Sequence, residues 1–253
     1  MRVPTPGERF GVPMPGGTSV SHVSVYDTVG PDGLAGGSPH LHTVCTEAYL
    51  VIGGEGMVQT LSGEGYGETQ LVAGTVAWFS PGTIHRLVNL DGRLELYVVM
   101  SNAGLPEAGD MVLAFEPDVV ADETRYRSHA DLPADALTTA GAADPAMARR
   151  DLAVTGFGHW KSAVDAEGPA ALDPLREAAV RLVGERARTW RPILDGDPTR
   201  DLESSRDQVA ALADPDRHAA AVAHLAASAI RSHSLHPDTR RMGCCGTLGT
   251  VLH

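Results

Sequence analysis

The chain reads as an α+β protein, with an antiparallel β-barrel in its N-terminal part and an α-helical C-terminal region. Three observations predict this. Residues 1 to about 110 are rich in Gly and β-branched residues, and their short apolar runs are split by turn signals. Strands this short and this regularly spaced build antiparallel barrels or sandwiches. Beyond about residue 112 the apolar residues recur at helical spacing, and Asp-Pro pairs head those stretches, Asp as N-cap and Pro at the first helical position.

In order, the candidate strands are 20–26, 40–44, 47–52, 57–61, 75–79, 85–90 and 94–100. Between them lie Gly53-Gly54, Ser62-Gly63-Glu64-Gly65, Ala73-Gly74, Pro81-Gly82 and Asp91-Gly92. The barrel is assigned to 1–112. Residues 111–120 either continue the sheet or pack along its edge, and 113–140 form a connecting segment. The helical region is 141–236, with starts at Asp144-Pro145, Asp173-Pro174 and Asp214-Pro215. Ala153, Phe157, Trp160 and Val164 form one apolar stripe; Leu175, Ala179, Leu182 and Trp190 form another; His218, Val222, Leu225, Ala226 and Ile230 form a third. A shorter helix is expected over 202–212. Residues 237–253 form a Gly- and Cys-containing tail, free or packed over a partner subunit.

Charge narrows the function classes. The net charge is −12 and the pI about 5.3, which disfavours nucleic acid and acidic membrane surfaces, since both need clustered Lys and Arg. The barrel part holds only Arg2, Arg9, Arg86 and Arg93 as cations, so phosphorylated sugars are disfavoured unless the helical region lends an arginine. Lys161 is the sole lysine, set in an amphipathic helical pattern and read as solvated. No apolar stretch reaches the length of a membrane span, and the first residues lack a signal-peptide core. Cys45, Cys244 and Cys245 do not form a disulfide framework. A cytoplasmic location is expected.

Chemistry concentrates in two stretches. Pro39–Glu47 holds His40 and His42, which project from one face of a strand, and Glu47 five residues further on. A turn between His42 and Glu47 is needed, because Glu47 has the wrong parity to continue that strand. The second stretch, 80–89, supplies His85 behind the Pro81-Gly82 turn. Three imidazoles and one carboxylate suit a divalent transition metal and leave positions open for substrate. Iron(II) is favoured; Mn, Ni, Cu, Co and Zn fit the same donors.

Together the two stretches resemble the cupin superfamily. The first cupin motif is matched by His40-X-His42, four residues, Glu47, six residues and Gly54; the second by Gly74, Gly82, His85 and Asn89. Leu34 stands where the motif has Gly, and Ser80 where it has Pro; neither change removes a ligand. The resemblance covers roughly the first 110 residues. It implies a double-stranded β-helix (jelly-roll) barrel around a mononuclear metal held by His40, His42, Glu47 and His85. No family resemblance is read for the helical region.

Around that centre, alternation from Glu47 turns Tyr49 and Val51 inward, and alternation from His85 turns Leu87 inward. Tyr49 and Glu47 are the candidate catalytic residues, Tyr49 as a hydrogen-bond or proton donor. Gln59, Trp78, Tyr97 and Met57 are candidate pocket walls. Cys45 and the helical tryptophans read as core, His22 as a residue near the barrel mouth, and His233/His236 beside Cys244-Cys245 as a weak second metal pattern. The expected activity is an oxygenase or dioxygenase acting on a small, largely apolar or aromatic metabolite. A Lewis-acid isomerase, cyclase or lyase and a non-catalytic metal-binding module are the alternatives. A small-molecule substrate and a homodimer are the expected partners.

Overall fold

The computed structural model describes residues 14–132, 143–230, 232, 235 and 241–252; His233 and His236 lie outside them. Extended runs separated by glycine turns give strands β1 (Ser19–Val25), β2 (His40–His42), β3 (Glu47–Gly53), β4 (Glu55–Ser62), β5 (Gly65–Val72), β6 (Val76–Phe79), β7 (Ile84–Asn89), β8 (Glu95–Met100), β9 (Met111–Leu113), β10 (Arg241–Met242) and β11 (Gly246–Leu252). They form two antiparallel sheets of the jelly-roll type, in the orders β10-β11-β1-β8-β3-β6 and β5-β4-β7-β2-β9. The inner faces are apolar at Val23, Tyr49, Val51, Val58, Leu87 and Leu96, all buried.

Two strands depart from the sequence reading. β5 carries no apolar alternation, because it is a half-exposed edge strand held by pairing along its whole length to β4. Residues 237–253, expected as a tail, supply β10 and β11, and β11 pairs with β1 from Val20↔Leu252 to Val25↔Gly246. An unpaired edge of β1 would leave a row of open N–H and C=O groups, and this extended segment fills it.

The motif glycines sit where the chain turns. Gly54, Gly74 and Gly82 have φ of 74°, 91° and 83°, a region that costs other residues a Cβ clash. Asn89 closes β7: its amide donates to the Val25 carbonyl at 3.0 Å, and its carbonyl accepts from Leu94 N at 3.2 Å.

Helices follow: α1 (Pro117–Ala121), α2 (Glu123–Ala130), α3 (Ala143–Glu167), α4 (Asp173–Ala187), α5 (Arg191–Leu194), α6 (Asp197–Ala213) and α7 (His218–Ala226). The segment expected as a connection thus holds α1 and α2, while β9 continues the sheet at Met111–Leu113, one of the two readings of 111–120. The helix expected at 202–212 begins earlier, at another Asp-Pro pair, Asp197-Pro198. Asp214 caps a short 3-10 turn ahead of α7.

α3 docks through its predicted stripe. Ala153, Phe157, Trp160 and Val164 are buried, and the Trp160 indole donates to the Phe115 carbonyl at 2.8 Å. Gly156 lets the backbones close: a Cβ there would stand 2.2 Å from the Ala114 carbonyl oxygen. Arg150, 2% exposed, ties α3 to the loop before β2 by donating to the carbonyls of Thr28, Val29 and Gly36. Trp190 is buried, and its indole donates to Ala108 O. Among the described residues, no helix is long and apolar enough to cross a membrane.

Candidate metal centre

β2 presents His40 and His42, and β7 presents His85 in register opposite His40. All three belong to the five-stranded sheet. After His42 the chain crosses to the facing sheet, so Glu47, the first residue of β3, meets the histidines from the other side. The four side chains are buried, and their donor atoms all lie within 4.8 Å of one another. His40 Nε2 and His85 Nε2 are 3.2 Å apart. Glu47 Oε2 is 3.2 Å from His85 Nε2 and 3.3 Å from His42 Nε2.

The opposite edge of each imidazole explains why Nε2 faces inward. His40 Nδ1 lies 2.8 Å from Ser38 O, and His85 Nδ1 lies 3.0 Å from Thr83 O. A carbonyl can only accept, so Nδ1 carries the proton and Nε2 keeps its lone pair. His42 differs, because its Nδ1 lies 3.3 Å from a carboxylate, Asp110 Oδ2.

Asp110 is the functional residue that sequence reasoning missed. It is fully buried just before β9. It accepts from the backbone N–H groups of Thr43, Val44 and Cys45 and from the Thr43 hydroxyl. One side chain thus shapes the turn that carries the chain from β2 to β3 and orients the histidine before that turn. Nothing in the local pattern around Gly109-Asp110 announces a partner more than sixty residues away in the chain.

Electrostatics follow from this wiring. Burial pushes His40 well below the ordinary imidazole range, reinforced by His85 and His42. Burial also opposes charge on His42, but the facing carboxylates of Asp110 and Glu47 win and raise it to about 9. Burial would raise Glu47, yet His85 and His42 hold it well below the usual carboxylate range. Asp110 is held low in the same way, burial being outweighed by bonds from His42, Thr43 and Cys45.

A divalent transition metal fits this donor set. Two imidazole lone pairs facing each other at 3.2 Å repel unless a cation or proton lies between them. Ligands about 2.0–2.2 Å from a shared ion stand roughly 3 Å apart, which is the observed spacing. Glu47 Oε2 is buried without a hydrogen bond, an acceptor that a cation would satisfy.

Other predicted residues separate. Tyr49 is fully buried and points inward, edge-on to Phe79 with centroids 5.3 Å apart; its hydroxyl makes no hydrogen bond. Burial first, then the Glu47 charge, keeps that phenol protonated to well above its ordinary pKa. The wall predictions slip by one residue. Pairing of Thr60 with His85 and of Phe79 with Glu47 turns Val58, Thr60, Ala77 and Phe79 inward. Met57 and Gln59 therefore face outward. Trp78 is 72% exposed and touches the mouth only at its rim. Tyr97 lies opposite His22 on the outer face, where His22 Nε2 is 3.6 Å from Glu95, so His22 is turned away from the site. Cys45 is buried, as expected. The Gly243–Gly246 turn, by contrast, is brought against the barrel: Ser38 N donates to Cys244 O, Tyr26 N donates to Cys245 O, and Cys244 Sγ lies 3.0 Å from Met111 Sδ.

Phe79 stacks on His85 at 4.2 Å and forms part of the wall of a cavity of about 660 Å³. Val58, Thr60 and Ala77 line the same cavity. It opens beside the β4–β5 and β6–β7 turns, and Arg176 of α4 reaches its edge.

The family model for the cupin domain matches residues 26–101. No curated protein matches the chain. Among solved structures, KdgF from a Halomonas species aligns at 22% identity over 27% of this chain and 58% of its own, with a TM-score of 0.24. The TDP-fucose-3,4-ketoisomerase WlaRA from Campylobacter jejuni aligns at 11% identity over 37% of this chain and 64% of its own, with a TM-score of 0.30. An oxalate oxidase in complex with the substrate analogue glycolate aligns at 21% identity over 34% of this chain and 51% of its own, with a TM-score of 0.26. Residues 26–101, with both histidine stretches and their glycines in place, thus match the cupin domain, and the match does not extend to the helical region.

Proposed function

We propose that this is a mononuclear metal-dependent cupin enzyme, an oxygenase that acts on a small, largely apolar or aromatic metabolite. The observation that carries this reading is the convergence of three Nε2 atoms and one unsatisfied carboxylate oxygen, behind Phe79, whose ring lies against His85 on one side and lines the neighbouring cavity. His40, His42, Glu47 and His85 would hold the ion, and iron(II) suits them best among the ions these donors accept. A bound metal of that kind supplies open positions for a chelating substrate and for dioxygen.

The chain's own residues divide the remaining work. Ser38 O, Thr83 O and Asp110 fix the imidazoles. Phe79, Ala77 and Val58 give the cavity an apolar stretch of wall next to His85, which fits an apolar part of a substrate. Tyr49 keeps its proton and stands beside Glu47, so it serves as a hydrogen-bond donor rather than as a base. Lewis-acid isomerisation or elimination needs a separate base, and neither Tyr49 nor His22 fits that role. Tyr49 is held protonated, and His22 faces away.

The test is elemental analysis of protein purified without a metal-affinity tag, followed by oxygen-consumption assays. Stoichiometric Fe, Mn, Ni or Cu with substrate-dependent oxygen uptake is the expected result. Zinc alone would move the reading to Lewis-acid chemistry, and absence of any metal would overturn both.

A further inference from the structure

The sequence made one reservation about substrate charge: the barrel lacks cationic anchors unless the helical region lends one. Arg176, in the first turns of α4, lines the cavity whose inner wall adjoins His85. It is the one basic residue of that lining, and its side chain is about a third exposed. Nη1 donates to Asp173 Oδ1 at 2.8 Å and to Pro169 O at 3.3 Å. Those two bonds hold the guanidinium in place, and the described residues give Nη2 and Nε no acceptor. Between Arg176 and His85 the lining is rich in hydroxyls, at Thr60, Ser62, Thr69, Ser80 and Thr83.

We propose that Arg176 anchors a carboxylate at the far end of the substrate, while the near end reaches the metal centre. A guanidinium fork with two open donors matches a carboxylate, and neighbouring hydroxyls complete its solvation. Asp173 pairs with this cation and Glu64 lines the same cavity, so the charge balance suits a monoanion rather than a dianionic phosphate. The apolar inner wall and the charged edge together select a molecule with a chelating head, an apolar body and a distal carboxylate. This rests on the metal-centre reading and adds to it the class of substrate.

The experiment uses the full chain loaded with Co(II), whose visible absorption reports the His/Glu site. The probes are the diacids 2-hydroxysuccinate, 2-hydroxyglutarate and 2-hydroxyadipate, each matched to a monoacid with a terminal methyl in place of the distal carboxylate, and 3-phosphoglycerate as the phosphate-ended arm. Binding is followed by calorimetry and by the shift of the Co(II) bands. At the best chain length the diacid should bind about tenfold tighter than its monoacid, the gain typical of one charge-assisted pair. Arg176→Gln should erase that advantage with the Co(II) bands unchanged, Arg176→Lys should keep part of it, and Asp173→Asn should enlarge it. Diacids and monoacids of equal affinity at every length, or an advantage that survives in Arg176→Gln, would overturn the proposal. Tighter binding of 3-phosphoglycerate than of any diacid would replace the carboxylate by a phosphate and also overturn it. Failure of the wild-type protein to develop Co(II) bands would instead overturn the metal centre itself.

Discussion

The inner and outer faces of the five-stranded sheet are made by the same strands, yet their buried polar groups behave differently. On the outer side the buried groups named here find partners within the chain, with Arg86 Nε as an exception. Arg86 is paired with Asp32 and Leu34 O, Arg150 with three loop carbonyls, and the Trp160 indole with Phe115 O. On the inner side His40 and His85 turn a hydrogen-bonded edge away, His42 turns one toward the Asp110 carboxylate, and all three aim the other edge at a shared point, where an unsatisfied carboxylate oxygen also sits. Burying a polar group without a partner costs free energy. Polar burial that is internally satisfied therefore reads as architecture, and polar burial that converges without satisfaction reads as a place for a ligand.

The most direct way to break this contrast is His42→Ala. It removes one donor from the inner cluster and touches nothing on the outer face. Metal affinity should fall by more than the roughly hundredfold that loss of a supporting residue can cause. Far-UV circular dichroism should stay unchanged. Full metal content in the purified variant would refute the ligand assignment.

Asp110→Asn tests whether the inner face depends on its orienting residue. The amide retains part of the acceptor role toward Thr43, Val44 and Cys45 but loses the charge facing His42 Nδ1. Metal affinity should drop by about ten- to a hundredfold, the usual cost of removing a carboxylate behind a ligating histidine. Calorimetric titration of the metal-free variant measures it, and an unchanged affinity would reduce Asp110 to a turn-forming residue.

The outer face is probed by Gly156→Ala. Alanine favours a helix interior by about 1 kcal/mol over glycine. Its Cβ would nevertheless stand 2.2 Å from Ala114 O, so α3 must move off the sheet. A net loss of about 1–3 kcal/mol is expected, as for other overpacked cores. Thermal unfolding should show the loss while metal affinity stays close to wild type. A stabilised variant would mean that α3 docks with slack.

How much of this was readable from sequence depends on how local the information is. His40 and His42 share a strand face, and His85 follows a Pro-Gly turn, so spacing alone aligns them. Glu47 needed one further step, the parity argument for a turn, and that turn exists. Val58, Thr60 and Phe79 were each missed by one residue, because strand boundaries set parity and short strands leave the boundary free by one. Asp110 and Arg176 were not legible at all. Each meets the site through chain reversal across scores of residues, and neither sits in a pattern that marks it. β11 was missed for a related reason: a strand at the end of the chain is defined by the open edge it covers, here β1, not by its own composition.

The last effect is a pH dependence, and it separates His42 from His40. In the metal-free protein Asp110 and Glu47 raise His42 to about 9 against an ordinary value of 6.5, so at neutral pH it carries a proton that a metal must displace. Apparent metal affinity should therefore climb about tenfold per unit between pH 7 and 9, and level off above, as for any ligand that binds in exchange for one proton. Stability of the metal-free form runs the other way. A raised folded-state pKa contributes stability that is complete below about 6.5 and is lost as pH rises through about 9. His40, which burial keeps neutral, adds nothing to this slope. Asp110→Asn takes away one of the two carboxylates that hold the proton, so the slope between pH 7 and 9 should flatten even as absolute affinity falls. Titrations with Co(II) at several pH values in both proteins test this. Parallel slopes would mean that Asp110 orients His42 without governing its charge.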